Sequence, residues 1–369
     1  MIFLDHNAGA PPHPVVRERL RGLLERFDWA NPSSPHSAGR AAKEIVEEAR
    51  ERVARSVGSS PTQMTFTSGA TESNAAALRH WSGQSRNART IVCTPVEHPS
   101  VADALHRLER EGWVLRRAPV DRRGGIPPDW IETALDGDVA FAVCMSANNE
   151  TGATHPWRDW ARECGRTGIP LHVDATQSWG REVFGVQGIR GSVAWSGHKV
   201  GALSGAGALW LSETRGFSGL AEGGPQERGR RAGTESVLAI AALGEAARLV
   251  EAGPHWLEWS DWREILWQAV AGIPGVSRTV DADRALPNTL HLGLPIRAET
   301  AVMRLDLEGV AVSAGSACAS GSMRPSPVLL AMGWSESEAA RGIRLSVGHA
   351  VDEEGVERAA EVLLRVLTK

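Results

Sequence analysis

The stretch VAFAVCMS at residues 139–146 is apolar up to its last residue, and the shorter run PLHVD follows at residues 170–174. Between them lies a helical pattern that begins near Pro156. Short apolar runs separated by a helix are typical of parallel strands that are buried on both faces of a sheet. These stretches therefore predict a β–α–β unit inside an α/β protein.

The same alternation continues on both sides of this unit. Further strand-like runs lie at residues 63–67, 90–94, 192–196 and 206–211. Helical patterns, with apolar residues three or four positions apart, lie at residues 13–27, 37–57, 234–250 and 255–270 and begin at Thr71 and Ser100. An alternation on this scale predicts a mostly parallel sheet with helices on both of its faces.

The pattern changes after residue 270. Shorter strands at residues 289–292, 310–313 and 343–347 mix with helices, and an amphipathic helix follows at residues 352–367. This change predicts a second, smaller α+β domain. Because Gly253 and Pro254 interrupt the helices, we expect a large domain at residues 13–253 and a small domain formed by residues 1–12 and 254–369.

The composition of the 369 residues excludes several classes of protein. The formal net charge of −4 argues against nucleic-acid binding, which normally needs a basic excess. No apolar run approaches the roughly 18 residues of a membrane span, and the first residues lack the pattern of a secretion signal. The four cysteines form no CxxC pair and no zinc spacing. We therefore expect a cytoplasmic protein with reduced thiols.

Lysine is rare in this chain. The 40 basic residues include only three lysines, Lys43, Lys199 and Lys369. Lys43 lies in a highly charged helical pattern and Lys369 is the last residue, whereas Lys199 directly follows a predicted strand in the run WSGHK at residues 195–199. Lysine can lose its proton and form an imine, which arginine cannot do. Lys199 is therefore the candidate for imine chemistry.

A carboxylate ends a neighbouring predicted strand. Asp174 follows an apolar run, and its carboxylate needs a cation or hydrogen-bond donors because an unpaired buried charge is costly. A simpler alternative is that Asp174 is the N-cap of a helix. Together, Asp174 and Lys199 match the needs of pyridoxal phosphate, since the lysine forms the Schiff base and the carboxylate keeps the pyridine nitrogen protonated. His172 and Asp174 have no third ligand at a suitable spacing, so we predict no metal site.

Two further motifs indicate chemistry. The run TSGATE at residues 67–72 lies between a strand and a helix, where backbone N–H groups and the helix dipole favour a phosphate; an ordinary turn is the alternative. Cys318 lies in the small-residue run SAGSACASGS at residues 313–322, whereas Cys93 and Cys144 lie in apolar runs. A loop position favours a reactive thiol, although an incidental cysteine is the alternative.

Taken together, these motifs resemble the cysteine desulfurases of the NifS/IscS type in the class V aminotransferase superfamily. The resemblance extends from Leu4 to Ser346 and includes NPSS at residues 31–34, FTSGATESN at 66–74, EH at 97–98, NNETG at 148–152, HVDATQ at 172–177, SGHK at 196–199, RAGT at 231–234 and GSAC at 315–318. It implies the fold of the type I pyridoxal-phosphate-dependent transferases. That fold has a large domain around a mostly parallel seven-stranded sheet and a smaller α+β domain, which here carries the Cys318 loop.

The resemblance also implies roles for individual residues. Lys199 would bind pyridoxal phosphate and move the substrate's Cα proton, Cys318 would take the sulfur as a persulfide, and His98 would stack on the cofactor ring and serve in proton transfer. Asn149 and Arg344 would bind the substrate carboxylate. The implied cofactor-binding residues are Ala70, Thr71, His98, Asn149, Asp174, Gln177, Ser196, His198, Lys199 and, from the other subunit of a homodimer, Thr234.

The implied reaction converts L-cysteine to L-alanine and delivers the sulfur from Cys318 to an acceptor protein, such as an iron–sulfur scaffold or a sulfur carrier. Three alternatives stay open at this point. The chain could be a selenocysteine lyase, another class V enzyme that acts on a different amino acid, or a non-catalytic member that binds a partner.

Overall fold

Parallel strands follow one another along the first part of the chain. The computed structural model describes residues 1–26, 29–85, 87–217, 219–253, 256–315 and 325–368. Its strands are β1 (Ile2–Phe3), β2 (Met64–Thr67), β3 (Thr90–Cys93), β4 (Val114–Arg117), β5 (Val139–Met145), β6 (Leu171–Asp174), β7 (Gly191–Ser196), β8 (Gly207–Leu211), β9 (Ser277–Arg278), β10 (Thr289–Gly293), β11 (Val310–Ala311) and β12 (Gly342–Ser346).

Seven of these strands form one sheet in the order β2-β8-β7-β6-β5-β3-β4. The two runs that predict the β–α–β unit are its adjacent parallel strands β5 and β6, with Met145 opposite Asp174. Only β8 runs antiparallel to its neighbours, β2 and β7. The prediction of a mostly parallel sheet is confirmed, and the strands β5, β6 and β7 end at the same edge.

Helices connect and cover these strands. They are α1 (Pro14–Glu25), α2 (Ser37–Ser56), α3 (Ala70–Gln84), α4 (Pro99–Arg110), α5 (Trp130–Ala134), α6 (Trp157–Thr167), α7 (Val237–Glu251), α8 (Leu257–Val270), α9 (Ala298–Leu307), α10 (Pro327–Ala331), α11 (Glu336–Ala339) and α12 (Glu353–Leu367). None of the helices in the described ranges is both long enough and apolar enough to cross a bilayer.

The central strand β5 shows why helices lie on both faces of the sheet. Its side chains alternate between two apolar cores, since Ala142 and Cys144 pack in the core that includes α2, α6 and α7. Phe141 and Val143 point the other way, into the core formed with α3 and α4. This alternation is the period of two expected of a strand, and an unbroken apolar run results when both faces are covered.

A further apolar core lies in the last part of the chain. The antiparallel sheet β12-β10-β9 contributes Leu290 and Leu345, and α8, α9 and α12 pack against it. Leu4 also belongs to this core, and β1 pairs with β11 in parallel. The first residues of the chain thus lie with its last third. The boundaries at residues 12 and 253 stay a prediction.

Candidate active site

The ends of β5, β6 and β7 surround a cavity of about 360 Å³ together with the beginning of α3. Most of the predicted site residues line it: Ala70, Thr71, His98, Asn149, Asp174, Gln177, Ser196, His198, Lys199 and Arg344. Thr234 instead lines a neighbouring cavity of about 180 Å³, and Ser68 and Gly205 line both cavities. Cys318 lies outside the described residues.

Lys199 reaches this cavity from the end of β7. The chain passes from the strand into a short 3-10 turn, Gly197–Lys199. Lys199 Nζ donates hydrogen bonds to the backbone oxygens of Asn7 and Ala8, both at 2.7 Å. The amine is thus held by neutral carbonyl groups on the cavity wall.

Asp174 is the last residue of β6, and its carboxylate is held on both oxygens. Oδ1 accepts a hydrogen bond from the Thr176 backbone N–H at 3.0 Å, and Oδ2 accepts one from Asn74 Nδ2 at 2.8 Å. A turn follows β6 rather than a helix, so Asp174 does not cap a helix. The carboxylate is buried and faces the cavity, as a group that binds a ring nitrogen would need to be.

His98 is the N-cap of α4. Its Nδ1 accepts a hydrogen bond from the Ser100 backbone N–H at 3.1 Å and lies 2.8 Å from Ser100 Oγ. Burial lowers the pKa of His98, an effect that the nearby Asp174 opposes and Lys199 reinforces. The imidazole is therefore neutral near pH 7, and Nε2 is the ring nitrogen left for a ligand.

The beginning of α3 is suited to an anion. Gly69 is the N-cap and supplies no side chain to cap the first N–H groups of the helix. Ser196 Oγ lies 2.9 Å from His198 Nδ1 on the same wall of the cavity. Burial lowers the pKa of His198 to about 4, helped by the charge of Lys199. These groups offer neutral donors and a positive helix end to a phosphate.

Arg344 lies on β12 and is almost wholly buried. Nη1 donates to the Asn149 backbone oxygen at 2.7 Å, and Nη2 donates to Asp5 Oδ1 at 2.6 Å. Nε is buried and has no hydrogen-bond partner among the described residues. A guanidinium that lines the cavity with an unsatisfied N–H is ready to bind a carboxylate.

Several contributors to the site were missed by sequence reasoning. The Asn7 backbone oxygen accepts hydrogen bonds from Lys199 Nζ and from Gln177 Nε2, the latter at 3.1 Å. Arg181 is buried and donates to Gln177 Oε1 and to the Lys199 backbone oxygen, the latter at 3.1 Å. The bond to Oε1 leaves the Gln177 amide nitrogen directed away from Arg181. The contacts of Asn7 join residues at least 170 positions apart, so a single sequence carries no signal for them.

Comparison with known proteins is consistent with this site. The family model "Aminotransferase class-V" matches residues 2–359. A curated protein of Trichormus azollae named "Cysteine desulfurase" is 35% identical over 374 aligned residues, which cover 100% of this chain and 93% of that protein.

Two solved structures extend the comparison. One titled "NifS-like protein" superposes with a TM-score of 0.89 at 30% identity and covers 100% of this chain and 99% of its own. Another, titled "SspA in complex with cysteine", has a TM-score of 0.82 at 29% identity, with 94% and 99% covered. The chain belongs to the class V aminotransferase family and, within it, to the group of the NifS/IscS-type cysteine desulfurases.

This family implies a pyridoxal phosphate cofactor, and the residues present fit it. The cavity holds a lysine amine, a buried carboxylate and an uncapped helix end. Thr176 Oγ1 and Arg344 Nε are buried without partners in the described part of the chain, so polar groups remain to be satisfied by a ligand.

Proposed function

We propose that this protein is a pyridoxal-phosphate-dependent cysteine desulfurase. It would convert L-cysteine to L-alanine and place the sulfur on Cys318 as a persulfide for delivery to an acceptor protein. The observation that carries the proposal is the meeting of Lys199, Asp174 and Arg344 around one cavity, because an imine-forming amine, a partner for a ring nitrogen and a carboxylate receptor are what this reaction needs.

The lining residues can be assigned to the parts of the cofactor. Asp174 would bind the ring nitrogen and Gln177 the phenolic oxygen, with His98 against the ring. The phosphate would lie at Ala70 and Thr71, with Ser196 and His198 as further donors. The bound cofactor would supply a conjugated ring that takes up the electrons released at the substrate's Cα.

The protein's own groups would then act on L-cysteine. Arg344 and Asn149 would bind the substrate carboxylate, which orients the Cα–H bond toward Lys199 Nζ. That amine would take the Cα proton and later return it to the product. The Cys318 thiolate would attack the substrate sulfur, so that a new S–S bond forms on the protein as the Cβ–S bond breaks. The electron pair of the broken bond would stay with Cβ, which takes a proton and becomes the methyl group of alanine.

We further propose a homodimer in which Thr234 of a second copy joins the phosphate site. Within one chain, Thr234 does not line the main cavity but a neighbouring one that shares Ser68 and Gly205 with it. We expect the enzyme to act in the cytoplasm, and the free thiols of Cys93, Cys144 and Cys164 are consistent with that compartment.

The test is the production of alanine and sulfide from L-cysteine by the purified protein with pyridoxal phosphate and a thiol reductant. Cys318→Ala should keep the visible absorbance of the bound cofactor and lose both products, whereas Cys164→Ala, at a buried cysteine of α6, should keep them. Lys199→Ala should lose the absorbance and the activity, with Lys43→Ala as its control. Full activity of Cys318→Ala on L-cysteine, or a higher turnover with selenocysteine that does not need Cys318, would contradict the proposal.

A further inference from the structure

A chain of hydrogen bonds behind the cavity links Trp81 to Asp174. Trp81 Nε1 donates to Ser192 Oγ at 2.9 Å, and Ser192 Oγ lies 2.8 Å from His172 Nδ1. His172 Nε2 lies 2.9 Å from Asn74 Oδ1, and Asn74 Nδ2 donates to Asp174 Oδ2 at 2.8 Å. Ser192, His172 and Asn74 are each 0% exposed, so water does not compete for these bonds.

The acceptor end of this chain fixes the direction of the bonds around a neutral His172. The Trp81 indole can only donate, so the Ser192 hydroxyl accepts from it, and the direction of its other bond, to His172 Nδ1, follows from where His172 carries its proton. The Asp174 carboxylate can only accept, so the Asn74 amide turns its nitrogen toward Asp174 and its oxygen toward His172. His172 must therefore carry its single proton on Nε2.

The network branches at Asn74 and reaches a second cavity residue. Asn74 Nδ2 also donates to Ser100 Oγ at 2.9 Å. The Ser100 backbone N–H donates to His98 Nδ1 at 3.1 Å, so that nitrogen carries no proton and the Ser100 hydroxyl, 2.8 Å away, donates to it as well. His98 Nδ1 is thus an acceptor, and a neutral His98 carries its proton on Nε2.

We infer that Asn74 is a positioning residue, which holds the Asp174 carboxylate and, through the Ser100 hydroxyl, helps to hold His98 as the tautomer protonated at Nε2, and that His172 sets the orientation of the Asn74 amide. This inference rests on the proposed function. Burial keeps His172 neutral by lowering its pKa to about 4, against the opposing charge of Asp174. The assigned bond directions require a neutral His172, because a doubly protonated ring could not accept a hydrogen bond from the Ser192 hydroxyl.

Two consequences follow for the chemistry of the site. Asn74 holds one oxygen of the Asp174 carboxylate at 2.8 Å, so the carboxylate keeps a fixed position on the cavity wall, where a ring nitrogen would meet it. A His98 ring with its proton on Nε2 can donate that proton to a group in the cavity but cannot accept one there. His98 would therefore act as a donor.

The assigned tautomers can be measured directly. Selective ¹⁵N labelling of histidine in the holoenzyme, with long-range ¹H–¹⁵N spectra, distinguishes a protonated Nε2 from a protonated Nδ1. We expect His172 and His98 both to be protonated at Nε2 at pH 7, with resonances assigned through His172→Gln and His98→Gln. A His172 proton found on Nδ1 would overturn the inference. This measurement on the wild-type protein does not depend on the folding of the network variants.

Variants test the positioning role. Asn74→Ala should lower kcat roughly tenfold, which corresponds to about 1.4 kcal/mol, with KM little changed. It should also move the pH midpoint of the cofactor's visible absorbance by more than about 0.5 unit. His172→Leu should act in the same direction, whereas His172→Gln, which keeps a donor to Asn74, should remain within about twofold of wild type in kcat.

The matched control is His155→Leu. His155 is also buried, and neither of its ring nitrogens has a partner in the described part of the chain. It should change the stability but neither kcat nor the absorbance midpoint. The inference fails if Asn74→Ala and His172→Leu behave like this control. If the wild-type protein binds pyridoxal phosphate but makes no alanine from L-cysteine, the proposed function fails. The tautomers and the absorbance midpoint then still test whether Asn74 and His172 have the inferred roles.

Discussion

Asp5 and Arg344 form an ion pair at 2.6 Å across 339 positions of the chain, and the Arg344 side chain is only 1% exposed. A buried guanidinium needs such a partner, because leaving it unpaired costs free energy. The pair joins the beginning of the chain to β12 and fixes the group that we propose as the carboxylate receptor. Its disruption should therefore affect stability and substrate binding together.

Asp5→Ala should lower the free energy of unfolding by about 1.5–3 kcal/mol, the usual worth of a hydrogen bond to a charged group. It should also raise the KM for L-cysteine more than it lowers kcat, because Arg344 is freed to turn away from the cavity. Urea unfolding and steady-state alanine production measure the two effects. Asp5→Asn, which keeps an acceptor oxygen, should fall between Asp5→Ala and wild type. An unchanged KM in Asp5→Ala would exclude this role of the pair.

Gly207 on β8 lies against Gly69, at the proposed phosphate site. A Cβ added at Gly207 would lie 2.6 Å from Gly69 Cα and 2.6 Å from the Trp195 backbone oxygen, and these are backbone atoms, which move only with the segments that contain them. Overpacking of this kind costs about 1–3 kcal/mol. We expect Gly207→Ala to push back the beginning of α3 and to raise the Kd for pyridoxal phosphate roughly tenfold.

The control for Gly207→Ala is Gly83→Ala on α3, where an added Cβ meets no atom within 4 Å. Alanine favours a helix over glycine by about 1 kcal/mol, so Gly83→Ala should raise stability and leave the Kd unchanged. The Kd can be followed by the quenching of tryptophan fluorescence as the cofactor binds. Equal Kd values in the two variants would show that Gly69 does not shape the phosphate site.

Sequence patterns predicted the parts of the fold that depend on local periodicity. The strands β5 and β6 could be predicted from their apolar runs, which result because helices cover both faces of the sheet. Lys199 could be found by elimination, since two other lysines lie in unsuitable places. In contrast, β4 was missed because Val114–Arg117 is a partly exposed edge strand without an apolar run.

The support of the site could not be predicted in the same way. The contact of Asn7 with Lys199 spans 192 positions, and that of Asn74 with Asp174 spans 100. Such pairs arise from how the layers pack, and no spacing rule connects them. Arg181 gives no signal either, because nothing in the sequence separates it from the other 36 arginines.

Arg50 and Glu227 form a second buried ion pair, which holds an unusual segment of backbone. Both guanidinium nitrogens Nη1 and Nη2 lie 2.7 Å from the carboxylate, which also accepts from the Phe66 backbone N–H at 2.8 Å. Glu227 and Arg228 have φ values of +48° and +60°, which cost energy in residues other than glycine. Removing one partner of a buried pair typically costs about 3–5 kcal/mol.

We therefore expect Arg50→Ala to lower the free energy of unfolding by about 3–5 kcal/mol. Arg19→Ala, which breaks an exposed pair with Glu48 at 3.0 Å, should cost no more than about 1 kcal/mol. The double variant of Arg50→Ala with Glu227→Ala should be less destabilised than the sum of the two single variants, because no buried charge is then left alone. Additive losses would argue against a coupled pair.

Buried histidines should make the protein sensitive to acid. Burial lowers the pKa of eight of the described histidines. The pKa falls to about 3 for His6 and His291 and to about 4 for His155, His172, His198 and His349, and it lies below the usual value for His80 and His98. The unfolded chain binds protons at these residues near pH 6.5, whereas the folded chain resists them until the pH is much lower. The free energy of unfolding is therefore unaffected by these residues above about pH 7 and falls as the pH decreases from about 6.5 to 4, by up to about 1.4 kcal/mol per pH unit for each histidine.

Urea unfolding midpoints between pH 8 and 4.5, with pyridoxal phosphate in excess, measure this dependence. His291→Gln should remove about one proton from those taken up on unfolding, so the free energy of unfolding should change less steeply with pH, by about 1.4 kcal/mol per pH unit. His291 is suited to the test because it is buried, and its hydrogen bond to Thr279 Oγ1 at 2.6 Å lies away from the cavity lining. His106→Gln, at an exposed position of α4, should leave the slope as in wild type. If His291→Gln and His106→Gln show the same slope, His291 is already protonated in the folded protein, and burial does not control its charge.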